Sequence, residues 1–541
     1  MKDYEKNIEQ EWTLGEPAKL IYGDKYVYGR FYEEDIDSAC YNGKHAVLFF
    51  ITTAGTIMRT GRAYLEKISN NEIEQLTYWE NNEKKKEDYV GLYDNKIVHK
   101  NNSWEKQILV SFKNDEAEYI EEKDEINLKF KIKEVPLIKY FGENLNYNGI
   151  DRIVLAKLID SVTNKLDVNY TILDYSITNT INIKIKNKNN NKAVEKFITT
   201  FLEELRDYYE ENETHITRMF GSYILLQKKE GILNAIKATP IPIKYCPLMK
   251  KLLTEVGGET AEKLLSTLSD EDEELQTKLM CDLINEVVIK GGYFDSNRPL
   301  NSCEANVLFG ASETMSSAFK DNLIDAAVIV SNNLGTIITT NESNTQGAVK
   351  RMTGLFYTSP SKKIMTTAYE SGIIPVFPYT AEIDQIAGIK KAISLGYKKI
   401  AVSVAADDNY LHEKIKKLER DNNIVIYKFG LCSTGIDEKT ATIMKDNADV
   451  IWSCASKQVK EYVEPNAIAQ VGLKIPVHIM TKQGWEIIKN HLQRMNSDIN
   501  FDEVKLERAE DKPIFVNDKD KIKLLVKKNI NNCTDCPHPC I

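Results

Sequence analysis

The chain has 541 residues, of which 42% are hydrophobic and 28% charged, and its net charge is −9. That length exceeds one ordinary hydrophobic core and asks for two or three domains, and the composition excludes a disordered chain. The acidic balance speaks against a nucleic-acid partner, which needs clustered cations.

No run approaches the roughly 18 consecutive apolar residues that span a bilayer. The N-terminus, Met1-Lys2-Asp3-Tyr4-Glu5, lacks the apolar core of a signal peptide. A cytoplasmic protein with no membrane partner is expected, and its nine cysteines then serve as thiols or ligands rather than disulfides. The basic runs Lys84–Lys86 and Lys184 to Lys192 interleave with Asn and Glu and read as solvated surface.

Early strands are expected at Tyr26 to Tyr32 and Ala46 to Ile51, rich in aromatic and β-branched residues. Leu92-Tyr93 and Ile97-Val98 flank the polar pair Asp94-Asn95 and read as a hairpin. Val154 to Leu166 has the spacing of an amphipathic helix, a strand follows near Tyr170 to Leu173, and Phe197, Phe201, Leu202 and Leu205 mark another helix. The acidic segment Glu210 to Glu213 closes an N-terminal α+β domain, 1–213. Two strands are expected between Phe220 and Tyr245, then helical spacing at Leu252, Leu264, Leu265 and Leu268.

From Ala326 the pattern becomes regular. Short apolar strands (Ala326–Val330, Ile373–Phe377, Lys399–Val404, Ile424–Lys428, Asp449–Trp452, Pro476–Met480) alternate with helices (Ile383–Leu395, Leu411–Arg420, Glu438–Asp446, Trp485–Arg494). Such alternation predicts βαβ units and a mainly parallel sheet covered on both faces. The fold class is thus α/β over 214–510, with a cysteine-bearing tail at 511–541.

Open α/β sheets bind ligands outside the carboxyl ends of their strands. Three such ends carry small or polar residues: Ser331-Asn332-Asn333, Cys432-Ser433-Thr434-Gly435 and Cys454-Ala455-Ser456-Lys457. The last two loops open helices, whose N-termini attract anions. Asn332, Asn333, Ser433, Thr434, Gly435, Ser456 and Lys457 are therefore candidate ligands for an anionic small molecule; the competing reading makes the hydroxyls ordinary helix caps. No Walker A or G-x-G-x-x-G pattern is present, so neither nucleoside triphosphate nor nicotinamide binding is expected.

The C-terminus, Cys533-Thr534-Asp535-Cys536-Pro537-His538-Pro539-Cys540, spaces three cysteines as C-x2-C-x3-C beside a histidine. With His538 they can complete a tetrahedral zinc set, or give three thiolates of an iron–sulfur cluster; a frayed tail is the alternative. Cys432 and Cys454 follow neighbouring strands and are either buried thiols, a redox pair or shared metal ligands. Glu313 and Asp384 are candidate acid–base groups or helix caps.

Ordered blocks connect these features. They include His215-Ile216-Thr217-Arg218, Tyr245-Cys246-Pro247-Leu248, Phe309-Gly310-Ala311-Ser312-Glu313, Gly335 to Thr339, Thr358-Ser359-Pro360, Gly396 to Val402, Thr434-Gly435-Ile436, Cys454 to Lys457 and Gln470-Val471-Gly472. Over about residues 215–500 the chain resembles methanogenesis marker protein 8, a family restricted to methane-producing archaea. Ser331-Asn332-Asn333 stands where that family's pattern has a Cys-Asp-Gly-like turn, and Cys432-Ser433-Thr434 where it has a His-Thr-Thr-like run.

The resemblance implies an accessory protein of methanogenesis, acting with other proteins in assembly, maturation or activation of methyl-coenzyme M reductase or its cofactor system. The order of a small-residue helix, Leu323 to Val328 and Thr358-Ser359-Pro360 is also distantly similar to the beta subunits of deazaflavin-reducing hydrogenases. That second likeness implies a flavin and iron–sulfur oxidoreductase. The sequence does not say whether the protein is an enzyme.

Overall fold

The computed structural model describes residues 11–526 apart from 73–88, 100–108, 143–149 and a number of shorter stretches. The expected ligand set Cys533, Cys536, His538 and Cys540 lies outside the described residues. The chain divides into two compact units, one of residues 1–132 and 150–204, the other of 133–149 and 205–541.

In the first unit, β1 (Pro17–Tyr22), β2 (Lys25–Cys40), β3 (His45–Thr52), β4 (Ile57–Gly61) and β5 (Leu65–Lys67) pair antiparallel in the order β4-β3-β2-β1-β5. A seven-stranded sheet follows, formed by β6 (Tyr89–Tyr93), β7 (Lys96–His99), β8 (Leu109–Asn114), β9 (Ala117–Glu122), β10 (Glu125–Lys131), β11 (Ile172–Ile177) and β12 (Thr180–Lys186). Its order is β11-β12-β10-β9-β8-β7-β6, and β6 and β7 form the expected hairpin, with Tyr93 opposite Lys96. Alternation fixes which face is buried. Ile126, Leu128 and Phe130 on β10 lie opposite Ile185, Ile183 and Ile181 on β12, all six are buried, and each pair stabilises the sheet from one face. The helix Asn191–Glu211 supplies Phe197 and Phe201 to this core, and the Phe201 ring centroid lies 4.3 Å from that of Phe130.

The second unit begins with β13 (Thr214–Met219), β14 (Ser222–Lys229) and β15 (Ile232–Ala238). Then come β16 (Ala326–Ser331), β17 (Gly335–Thr339), β18 (Gly354–Thr358), β19 (Ile374–Pro375), β20 (Lys399–Ala405), β21 (Val425–Leu431) and β22 (Val450–Trp452). Last are β23 (Ala469–Val471), β24 (Val477–Ile479), β25 (Pro513–Asp518) and β26 (Lys521–Val526). A four-stranded antiparallel sheet runs β15-β14-β13-β18, and a ten-stranded sheet runs β19-β17-β16-β20-β21-β22-β24-β23-β25-β26.

The large sheet is mixed, which corrects the expectation of a mainly parallel one. β16, β20, β21 and β22 are parallel neighbours, but β17 and β24 flank them antiparallel. The connection decides the direction: only three residues join β16 to β17, and parallel neighbours need a crossover of a dozen or more. Asn333 at φ +60 and Gly335 at φ +64 make the turn. The segment from 511, expected as a tail, begins with β25 and β26, which extend the sheet.

Both faces of the parallel strands are covered. Ala326 and Val328 on β16 pack with Ile389, Ala392, Leu411 and Ile415 of the helices Gln385–Ser394 and Leu411–Asn422. Ala327 and Ile329 point the other way, into a core holding Met315, Phe319, Ile488 and Leu492. Those side chains come from the helices Ala311–Lys320 and Lys482–Gln493, so period-two alternation feeds two helical layers.

The small sheet lies at the carboxyl ends of the parallel strands. Ile216, Leu225, Phe356 and Tyr357 form an apolar group against which Ala405, ending β20, and Cys432, just after β21, pack.

Candidate functional site

Two polar clusters form where the four-stranded sheet meets the carboxyl edge, both within the second unit. The first centres on His215, which β13 holds fully buried. Its Nε2 lies 3.0 Å from Glu213 Oε1 and its Nδ1 lies 2.8 Å from Thr358 Oγ1, at the end of β18. The Asn333 backbone N–H donates to Thr358 Oγ1 at 2.7 Å. With that lone pair occupied, the Thr358 proton is best directed to His215 Nδ1, and the imidazole carries its own proton on Nε2, facing the carboxylate.

Burial holds the His215 pKa below its ordinary value despite Glu213. Burial works to raise Glu213, but hydrogen bonds from His215 and Asn333 and the charge of Lys228 outweigh it, and its pKa lies below the usual carboxylate range. The resulting state is an ionised Glu213 and a neutral His215.

Asn332 and Asn333 complete this cluster from the β16–β17 turn. Asn333 Nδ2 donates to Glu213 Oε1 at 3.0 Å and to the Ser359 carbonyl at 3.4 Å. Asn332 Nδ2 donates to the Tyr293 carbonyl. These donor bonds fix both amide orientations, and they leave Asn332 Oδ1 and Asn333 Oδ1 buried without a hydrogen-bond donor among the described residues. A buried acceptor without a donor costs about 1–3 kcal/mol. The Arg298 guanidinium donates to the Asn332 carbonyl and, at 3.4 Å, to Ser331 Oγ; burial pushes its pKa down to about 10. Lys133 Nζ binds the carbonyls of Thr358, Thr380 and Ala381 at 2.7, 3.2 and 2.5 Å and so anchors the end of β18.

The second cluster sits at the ends of β20, β21 and β22. Arg218, on β13, donates to the carbonyls of Cys432, at 3.0 Å, and Thr434, and lies 3.8 Å from Asp407. The Tyr223 hydroxyl donates to Asp407 Oδ2 at 2.5 Å. Burial raises Asp408 above its ordinary pKa; Lys139, 3.5 Å away, opposes the shift and Asp407 adds to it. Burial also keeps Tyr140 and Tyr223 protonated well beyond the usual phenol range, and pushes the Cys432 thiol up to about 12, with Cys454 adding to the effect.

The residues singled out in the sequence distribute unevenly over this edge. Ser433 is fully buried; its Oγ donates to the Trp452 carbonyl at 2.9 Å and accepts from Cys454 N at 3.0 Å, joining two of the expected loops. Thr434 is buried and Gly435 takes φ +71 in the turn. Ser456 Oγ accepts from Val459 N at 3.2 Å, the local bond of a helix cap. Lys457 is exposed and 3.8 Å from Glu461, four residues on. Glu313 is buried and accepts from Val307 N, Ser312 Oγ and Gln346 Nε2 at 3.1, 2.9 and 3.0 Å. Asp384 accepts from Ala387 N at 3.0 Å and caps its helix.

Sequence reasoning did not select Asp407, Asp408, Arg218, Arg298, Glu213 or Thr358 as site residues. Asp407-Asp408 was within reach, because an acidic pair directly follows an apolar strand. The others meet only through pairings such as His215 with Thr358 across β13 and β18.

Residues 215–493 match the family described as uncharacterized proteins conserved in archaea, DUF2099. The chain belongs to that family. It is also similar to uncharacterized protein MJ0054 of Methanocaldococcus jannaschii, 36% identical over 258 residues, covering 47% of this chain and 83% of the relative. No solved structure matches the chain. The family region runs from β13 through the helix Lys482–Gln493 and holds His215, Thr358, Asn332, Asn333 and Cys432 to Lys457. No helix among the described residues is long and apolar enough to cross a membrane.

Proposed function

We propose that this family member is an accessory protein of methanogenesis, acting in the assembly, maturation or activation of methyl-coenzyme M reductase or its cofactor system, and that it works by holding a small polar molecule at the carboxyl edge of its second unit. The metabolic part rests on the ordered blocks between His215 and Gly472 that resemble methanogenesis marker protein 8. The binding part rests on one observation: Asn332 Oδ1 and Asn333 Oδ1 are buried acceptors without donors among the described residues, beside the Glu213–His215–Thr358 line.

Buried polar groups are nearly always satisfied, so two neighbouring orphans at the ligand-binding end of an α/β sheet favour a bound molecule. Its chemistry follows from the two acceptors. Two amide oxygens and an ionised carboxylate select N–H or O–H donors, in preference to the anion expected from the loops, because the Ser433 and Ser456 hydroxyls already serve protein partners.

Purification of the wild type and an Asn332→Ala/Asn333→Gly variant from a methanogen, under anoxic conditions, tests this reading. Denaturation should release one stoichiometric small molecule from the wild type only, and a strain lacking the gene should accumulate inactive reductase. Equal release from both proteins, or none, contradicts the binding part. Unchanged reductase activity in the deletion strain contradicts the metabolic part.

A further inference from the structure

Cys432 and Cys454 both lie on the carboxyl edge, just after the neighbouring strands β21 and β22. β21 and β22 run parallel with Phe429 opposite Val450 and Gly430 opposite Ile451, and that register, continued, sets Cys432 opposite Ser453. Both chains turn there, and Ser433, the residue after Cys432, accepts a hydrogen bond from the Cys454 amide at 3.0 Å, which keeps Cys454 near enough to Cys432 to raise its thiol pKa.

Further contacts hold the two chains in that relation beyond the last ladder pair. Ser433 Oγ ties the Trp452 carbonyl to the Cys454 amide. Cys454 N also donates to the Trp452 carbonyl at 3.1 Å, so the chain folds back immediately after β22. Cys432 stands at φ +56, in the left-handed region that a residue with a Cβ seldom enters. Such backbone outliers concentrate at functional sites. Arg218 fixes this one by binding the carbonyls on either side of Ser433. The Cys432 sulfur packs against Gly354, 3.0 Å from where a Cβ would stand there. Both residues are partly exposed, and both are thiols in this structure.

We propose that Cys432 and Cys454 form a reversible dithiol–disulfide couple whose oxidant is a low-molecular-weight disulfide. This does not depend on the ligand reading above. The Cys454 thiolate attacks one sulfur of the disulfide RSSR, whose S–S bond breaks and releases RS⁻, leaving Cys454–S–S–R. The departing thiolate takes the Cys432 proton, and the Cys432 sulfur attacks Cys454 Sγ, forming the protein disulfide and expelling the second RS⁻, which takes up the proton lost by Cys454. Two electrons pass from the protein pair to RSSR, one S–S bond replaces another, and two RSH leave. Burial pushes the Cys432 pKa up to about 12, which makes it a poor first nucleophile, and the first attack is assigned to Cys454.

Incubation of the full-length protein in anaerobic glutathione/oxidised glutathione buffers, acid quenching, alkylation and peptide mapping tests the couple. The expected result is joint loss of the two alkylatable thiols at 432 and 454, recovered as one cross-linked peptide and reversed by excess reduced glutathione. Cys432→Ser should trap a glutathione adduct on Cys454. Independent alkylation of both cysteines at every buffer ratio overturns the proposal. So does cross-linking of either one to a different cysteine. The wild-type map decides the matter even if the variant fails to fold.

Discussion

His215 Nδ1 lies 2.8 Å from the Thr358 hydroxyl, across neighbouring strands 143 residues apart in sequence. The bond joins the start of the family region to the strand that closes the small sheet, and it makes Thr358 the only proton donor His215 meets on that side among the described hydrogen bonds. Replacing Thr358 by Val removes the donor to His215 and the acceptor for Asn333 N while keeping shape. A loss of about 1–3 kcal/mol is expected, measured as a lower midpoint in urea. A Thr358→Ser variant keeps the hydroxyl and should stay within about 1 kcal/mol of wild type by the same reasoning.

His412 offers a pH test. It is fully buried in the helix Leu411–Asn422, and both its ring nitrogens lack a partner among the described residues. Burial pushes its pKa down to about 3, with Lys428 and Lys416 contributing. The unfolded chain therefore binds a proton near pH 6.5 that the folded chain refuses until about pH 3. Stability tied to the neutral ring is complete above the unfolded value and falls as pH drops from there toward the folded one. Relative to wild type, His412→Leu should gain about 2 kcal/mol between pH 7 and pH 5. A difference between the two proteins that does not change with pH contradicts this.

Gly335 tests the turn that reverses the sheet. A Cβ there would stand 2.2 Å from the Ala381 carbonyl oxygen, at φ +64. Gly335→Ala should lower the unfolding midpoint by the equivalent of about 2 kcal/mol or more, combining backbone strain with a steric clash. Gly396 also has positive φ, but nothing lies within 4 Å of its missing Cβ, so Gly396→Ala should show the strain alone and a smaller loss.

Arg218→Lys keeps the charge and removes the fork that spans the Cys432 and Thr434 carbonyls. The Cys432 turn should loosen, so that the thiol reacts faster with a neutral alkylating reagent at fixed pH. An unchanged rate would mean that Arg218 does not hold the turn.

The parallel heart of the second unit was legible because strand and helix periods alternate cleanly from Ala326 onward. Its flanks were less so. Asn332-Asn333-Leu334-Gly335 carries the residues of a tight turn, yet the same polar residues fit a ligand loop, and local pattern cannot separate the two. Direction was decided by the length of the connection, and the strand Gly335–Thr339 had been read only as a sequence block. Asn332 and Asn333 were singled out from their place after a strand. Their partners were not: Glu213 and Arg298 reach them through pairing and packing that no local spacing encodes.

The most direct test is a high-resolution structure of the protein purified anaerobically from a methanogen. The account predicts density for one molecule with donor atoms within hydrogen-bonding distance of both Asn332 Oδ1 and Asn333 Oδ1. Isolated waters at the two oxygens, or rotated amides that pair them with protein donors, would contradict it.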